Sequence, residues 1–166
     1  MKPIDPAGRE VLRCEGLTAA YGRIRVVEGA DVRLHAGELV VLLGANGAGK
    51  SSLLRSLAGL LPWRAGQLQW RGQTLKPTDA AYAQCLAYLG HHSGMNDTLT
   101  GLENLRFALN LMAVSWNEAR VQAVLQALSL TEVVARPFGR LSQGQRRRLG
   151  LARVLLGERA FWLLDE

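Results

Sequence analysis

Five apolar residues in succession, positions 39–43, lie between Gly37 and Gly44, separated from Gly37 only by Glu38. A run this short, apolar at every position and closed by glycines, predicts a strand buried on both faces. The segment "FWLL" at 161–164 repeats the pattern and runs straight into Asp165 and Glu166. It predicts a second buried parallel strand that delivers two carboxylates to a sheet edge, where ligands gather in α/β folds. Between these runs the period lengthens. Leu102, Leu105, Leu109 and Met112 recur on one helical face behind a Thr100–Glu103 capping box, and Ser115 with Glu118 opens a second helix that buries Val121, Val124, Leu125 and Leu128. A third box, Ser142 with Gln145, opens a helix burying Leu149, Ala152 and Leu156. Core packing accounts for all of these apolar positions, so none of them is assigned chemistry.

Composition narrows the class without choosing a function. The 166 residues, 48% hydrophobic and 20% charged, have the usage of one ordinary globular domain with a single core. The opening "MKPIDPAGRE" has no apolar signal region, and no stretch approaches the roughly 18 consecutive apolar residues of a spanning helix. Neither export by a signal peptide nor a transmembrane span is therefore expected. Cys14 and Cys85 stand far apart without a CxxC spacing, which points to a reducing cytoplasm and buried apolar roles rather than a disulfide or metal site. The net charge of +6 favours anionic partners, whether phosphate, nucleic acid or a membrane surface.

Chemistry enters where the first apolar run ends. Gly44, Gly47, Gly49, Lys50 and Ser51 fit the phosphate-loop pattern G-x-x-x-x-G-K-[ST], set between a predicted strand and a predicted helix. Glycines let backbone N–H groups turn towards phosphate oxygens, Lys50 adds a positive charge, and the Ser51 hydroxyl suits Mg²⁺. The helix that follows points its positive end at the same place. In "RLSQGQRRRLGLARVLLGE", the capping box leaves two features over. Gly144 lies in the first helical turn, where glycine costs about 1 kcal/mol relative to alanine. Arg146, Arg147 and Arg148 crowd the positive end of the helix, where cations are mildly unfavourable. At least one of them belongs to a solvated face. Together they lead us to expect an anion arriving at this helix N-terminus.

The stretch "LSQGQ" resembles the signature motif of the ATP-binding-cassette ATPases, and its place between the phosphate loop and "FWLLDE" follows that family's order. The resemblance covers the whole chain. It implies an α/β P-loop NTPase core with an N-terminal antiparallel β subdomain and, at about residues 95–140, a helical subdomain, in one domain spanning 1–166. It also implies ATP and Mg²⁺ as cofactors. Gly44, Asn46, Gly47, Gly49, Lys50, Ser51 and Ser52 would hold ATP, with Tyr21 stacked on adenine. Ser51 and Asp165 would hold Mg²⁺, and Glu166 would polarise the attacking water. His91 occupies the loop position where most cassettes carry a glutamine that touches Mg²⁺ and that water. In the family two cassettes meet head to tail, so Ser142, Gly144 and Gln145 would act on nucleotide bound by a second subunit.

The pairing of "YLGHHSG" with "LTGLENLRF" is similar to the ATPase subunits of bacterial haem exporters of cytochrome c biogenesis. That likeness implies integral membrane subunits as partners, a peripheral place on the cytoplasmic face of the inner membrane, and no direct binding of haem. Adjacent histidines on a loop seldom chelate one ion together, and no cysteine lies near His91 and His92. Three alternatives stay open: an ATPase of another exporter, a soluble cassette acting on nucleic acid or ribosomes, and a nucleotide-binding remnant without turnover. The second would ordinarily carry long coiled-coil or zinc-bearing insertions, or a second cassette, and this chain has neither. Family members continue past the catalytic glutamate, so residues 1–166 alone are expected to be incomplete at the C-terminus and not to sustain hydrolysis.

Overall fold

A computed structural model describes residues 9–165, so Glu166 lies outside the described residues. These residues gather into two compact units that divide between Cys85 and Leu86.

The first unit is built on an antiparallel sheet. Strands β1 (Glu10–Tyr21) and β2 (Ile24–His35) form a long hairpin, and β3 (Trp63–Trp70) and β4 (Gln73–Leu75) extend it in the order β2-β1-β3-β4. Along β1 the inward positions are Leu12, Cys14, Leu17 and Ala19, all buried. The alternation of two slips between Cys14 and Leu17, where the register with β2 shifts, so both of these residues reach the core. Leu12 stands opposite Trp70 and Cys14 opposite Leu68 of β3, both of them buried, and Tyr82 meets Trp70 edge to face at 6.3 Å. Burial pushes the Cys14 thiol up to about 12, which keeps it protonated and leaves it a small core residue, as expected from the sequence. Cys85 is half-buried, its thiol donating to the Ala81 carbonyl on the short helix α2 (Ala80–Ala83).

The expected strand at 39–43 is not formed. The segment carries no strand assignment, and Leu39 and Leu43 are 84% and 88% exposed. Among the described residues no strand pairs with it. A strand needs a neighbour to take its N–H and C=O groups, and apolar sequence does not supply one. Helix α1 (Lys50–Leu57) follows directly after the phosphate loop, as expected.

The second unit pairs β5 (Leu86–Leu89) in parallel with β6 (Phe161–Leu164), Leu86 opposite Phe161 and Leu89 opposite Leu164. Helices α3 (Gly101–Leu111), α4 (Glu118–Ala127) and α5 (Gln143–Leu156) share a core of Leu105, Leu109, Val121, Leu125, Leu149, Ala152 and Leu156. Leu102, Val124 and Leu128 pack half-buried against that core, so the helical periodicity placed the apolar faces correctly except at Met112, which caps the C-terminus of α3 and is not part of this cluster. Strand β6 differs from its expectation. Phe161 and Leu163 are buried, but Trp162 and Leu164 remain 45% and 43% exposed, so only one face of this strand is covered.

Two of the three capping boxes form. The Thr100 hydroxyl accepts from Glu103 N, and the Glu103 carboxylate in return accepts from the Thr100 N–H and hydroxyl, two bonds that hold it below its ordinary range. Ser142 and Gln145 make the same reciprocal pair at α5. At α4 the expectation fails. Asn117, not Ser115, is the cap and accepts from Arg120 N, while the Glu118 carboxylate accepts from the Trp116 indole. Asparagine two residues nearer the helix competes successfully for the same role. Buried Asn104 accepts from Asn96 N and donates to the carbonyls of Asn96, Leu99 and Thr100, fixing the loop that leads into α3.

Candidate functional site

In the first unit the phosphate loop closes on its own lysine. Gly49 is the N-cap of α1 with φ of 90°, and a Cβ there would stand 2.3 Å from the Val26 carbonyl oxygen of β2. Only glycine tolerates both the conformation and the approach. Lys50 is the first helical residue, and its Nζ donates to the carbonyls of Gly44 at 2.8 Å and Ala45 at 2.9 Å. These bonds hold the ammonium inside the curve of the loop. No acidic side chain lies in the first turn of α1, so the N–H groups and positive dipole of that helix end are not neutralised from within the turn. An open cleft of about 280 Å³ runs beside the loop, lined by Val26, Val27 and Glu28 of β2 and by Leu42, Gly49, Lys50 and Leu53. Asn46, Gly47 and Ser51 are exposed and Ser52 is half-buried.

Tyr21 ends β1 with its side chain 46% exposed, and its hydroxyl accepts from the Arg55 guanidinium at 3.2 Å. Arg55 sits in the last turn of α1. The hydroxyl is thereby tethered to the helix that the phosphate loop begins, and the residue stands partly exposed.

In the second unit the end of β5 and the end of β6 meet. The Asp165 N–H donates to the Leu89 carbonyl at 2.8 Å, and the Tyr88 hydroxyl donates to Asp165 Oδ2 at 3.3 Å. Gly90 permits this contact: a Cβ at position 90 would lie 2.7 Å from the Tyr88 hydroxyl oxygen. His91 follows, exposed, with its ring edge to face on His92 at 5.2 Å. Among the described residues no group of three or more His, Cys, Asp or Glu side chains converges to hold a metal ion.

Helix α5 presents the signature residues at its N-terminus. Ser142 and Gly144 are exposed, and the Ser142 hydroxyl caps Gln145 N at 3.3 Å. A Cβ on Gly144 would meet nothing within 4 Å among the described residues, so no contact there requires glycine. The arginines need a correction. Arg146 donates to the carbonyls of Leu141 and Gly139 and lies over the Phe138 ring, and Arg147 donates to the carbonyls of Gly90 and Asp165. Two of the three cations therefore serve the fold of their own chain, donating to backbone carbonyls at loop and strand ends. Arg148 is the exposed one.

Sequence reasoning did not single out Tyr88 or Arg153, and it gave Arg147 to an arriving anion rather than to the carbonyls it meets. Arg153 donates to the Tyr88 carbonyl at 3.0 Å from a partly buried position, and burial lowers its pKa from the ordinary value. The one available signal was the surplus of arginines along the α5 sequence. The structure thus groups Tyr21 with the phosphate loop in one unit, and His91, Ser142, Gly144, Gln145 and Asp165 in the other.

Comparison with known proteins adds the remaining findings. The sequence model of the ABC transporter family matches residues 27–166. The cytochrome c biogenesis ATP-binding export protein CcmA of Cupriavidus necator is 45% identical over 156 residues, covering 94% of this chain and 69% of that protein. The protein of the same name from Bordetella bronchiseptica is 43% identical over 160 residues, covering 96% and 70%. Among solved structures, an ATP-binding subunit of an ABC transporter superimposes with a TM-score of 0.80 at 27% identity, covering 94% of this chain and 66% of the other. A nucleotide-free ATP-binding cassette from an ABC transporter gives 0.76 at 23% identity over 95% and 69%, a likeness of fold. The chain spans about two thirds of the length of the relatives it matches.

Proposed function

The chain belongs to the ABC transporter family, and we propose that it is the ATP-binding subunit of an export system of cytochrome c biogenesis, coupling ATP hydrolysis to the movement of membrane subunits that handle haem. Family membership carries nucleotide binding with it. The observation that supports the assignment most is the loop from Gly44 to Ser51, with Lys50 Nζ held by two loop carbonyls at the N-terminus of α1. The narrower reading rests on the likeness to export proteins of cytochrome c biogenesis across more than nine-tenths of the chain.

In this reading Tyr21 stacks on adenine while the backbone N–H groups of Gly47, Gly49 and Lys50 surround the β- and γ-phosphates. Lys50 offsets the charge that gathers on the phosphoryl oxygens, which gain most from a preorganised cation as the transition state forms. Mg²⁺ suits the oxygen donors assigned to it, the Ser51 hydroxyl and the Asp165 carboxylate, and the latter is already oriented by Tyr88. Its chemistry would be to neutralise phosphate charge. Glu166 takes the proton of the attacking water as the new P–O bond forms and ADP leaves, and His91 orients that water. Ser142, Gly144 and Gln145 bind the γ-phosphate held by a second subunit. The open space at Gly144 leaves room for such an approach.

No helix among the described residues is long and apolar enough to cross a membrane. Attachment at the cytoplasmic face of the inner membrane would come through the integral subunits. The test is complementation. In bacteria lacking their resident export ATPase of cytochrome c biogenesis, the gene for this protein is expected to restore haem-stained c-type cytochromes, and its Lys50→Ala version is not. Restoration by neither, with normal expression of both, would place the protein in another export system.

A further inference from the structure

Helix α1 opens at the phosphate loop and reaches the end of β1 from its last turn. That turn holds Arg55, five residues after Lys50 and so about 7.5 Å further along the axis at the helical rise. The backbone there is fixed, because the Arg55 carbonyl accepts from Leu60 N at 2.8 Å and from Leu61 N at 3.2 Å. Trp63 ties this end of the helix to the sheet. Its indole donates to the Ser56 carbonyl at 2.7 Å, and the residue stands opposite Ala19 of β1, two residues before Tyr21. From this anchored turn the Arg55 guanidinium donates to the Tyr21 hydroxyl at 3.2 Å. Arg64, next along β3, donates to the Gly22 carbonyl at 3.2 Å and holds the turn that follows the tyrosine. Tyr21 itself is 46% exposed, so packing leaves its rotamer weakly determined and a bond at its tip decides where the ring lies.

We propose that Arg55 is a positioning residue for the nucleotide base: by holding the Tyr21 ring through its hydroxyl before ATP arrives, it lowers the ordering cost of the stack and ties the base to the helix that opens at the phosphate loop. The inference rests on the reading of Tyr21 as the residue that stacks on adenine. Arg55 acts through the ring and touches neither base nor phosphate. An untethered surface tyrosine gives up its rotamer freedom on binding, which weakens affinity by up to about tenfold for one side chain. The phenol oxygen is the acceptor the tether needs, since phenylalanine offers the same ring with nothing for a guanidinium to hold. Arg55 therefore contributes to base binding only while position 21 carries a hydroxyl.

The experiment measures binding by competition with a fluorescent ATP analogue, using ATP and then inorganic tripolyphosphate as competitors, both with Mg²⁺. Wild type is compared with Arg55→Ala, Arg55→Lys, Tyr21→Phe, Tyr21→Ala and the Arg55→Ala/Tyr21→Phe double variant, each accompanied by a circular dichroism melt. We expect Arg55→Ala to weaken ATP about three- to tenfold, while tripolyphosphate, which has no base, stays within about twofold. Tyr21→Phe should match it. The double variant should be no weaker than the weaker single variant by more than about twofold, because both changes remove one bond. Arg55→Lys should recover part of the loss, one N–H donor being enough for one oxygen. Tyr21→Phe, which removes a single oxygen from a partly exposed side chain, decides the matter if the arginine variants fail to fold. For hydrolysis by the protein in its natural complex, the loss in Arg55→Ala should appear in KM for ATP with kcat within about twofold. Wild-type ATP affinity in Arg55→Ala and Tyr21→Phe would overturn the proposal, as would equal losses for ATP and tripolyphosphate, or losses that multiply in the double variant. Tyr21→Ala tells the two readings apart, since it should weaken ATP about tenfold or more through the lost stack. No loss in that variant takes down the stacking reading and this proposal with it, whereas that loss beside an Arg55→Ala protein of wild-type affinity overturns the tether alone.

Discussion

Replacing Lys50 by alanine is expected to weaken ATP binding about a hundredfold while leaving the fold in place. The ammonium contributes charge-assisted hydrogen bonds to phosphate, worth about 1.5–3 kcal/mol each, and the upper figure alone is about a hundredfold in affinity. Loss of the side chain inside the protein is mild by comparison. Its two bonds go to the carbonyls of Gly44 and Ala45 on an exposed loop, where water can replace them. Alanine is also the best helix former for the first position of α1. Titration with a fluorescent ATP analogue, alongside circular dichroism, separates the two effects. Equal affinities for wild type and variant would refute the assignment of the loop.

Changing Ser142 to arginine is expected to abolish ATP-driven association of two copies without changing ATP binding by one. Ser142 is exposed at the start of α5, so a long cation there would obstruct a partner's approach. The substitution also removes a helix cap, which costs about 1 kcal/mol. Ser142→Ala loses the cap without adding bulk and so isolates the second effect. Light scattering under conditions that bind ATP but arrest its hydrolysis should show the Ser142→Arg protein as a monomer and the Ser142→Ala protein as a weakened dimer. Undiminished dimer formation by Ser142→Arg would sink the head-to-tail arrangement.

What could be read from the sequence was local. Thr100 with Glu103 and Ser142 with Gln145 close over three residues, and both boxes form as read. The phosphate loop was legible for the same reason, its glycines, lysine and helix start lying within eight consecutive residues. Failures trace to competitors or to distance. At α4 the Ser115 signal was overridden by Asn117, and Glu118 turned to the Trp116 indole. Residues 39–43 are apolar enough for a buried strand, but burial depends on a neighbour that a hydrophobic run cannot specify. Trp162 and Leu164 on β6 repeat that lesson, half of an apolar strand standing uncovered. The arginines of α5 were read as an electrostatic anomaly and assigned to an anion. The carbonyls that hold Arg147 lie 57 and 18 residues away, beyond the reach of any pattern in the helix itself. Their identity appears only once β5 and β6 are paired.

Steady-state phosphate release from ATP is the most direct test of the central claim, that this protein turns over ATP through the Gly44–Ser51 loop and the acidic end of β6. Measured on the protein in its natural complex, the account predicts Mg²⁺-dependent release that Lys50→Ala abolishes through lost binding. Glu166→Gln should abolish it through a loss of about 10²–10⁴-fold in kcat with ATP still bound. Phosphate release by the Glu166→Gln and Lys50→Ala proteins at the wild-type rate would contradict it.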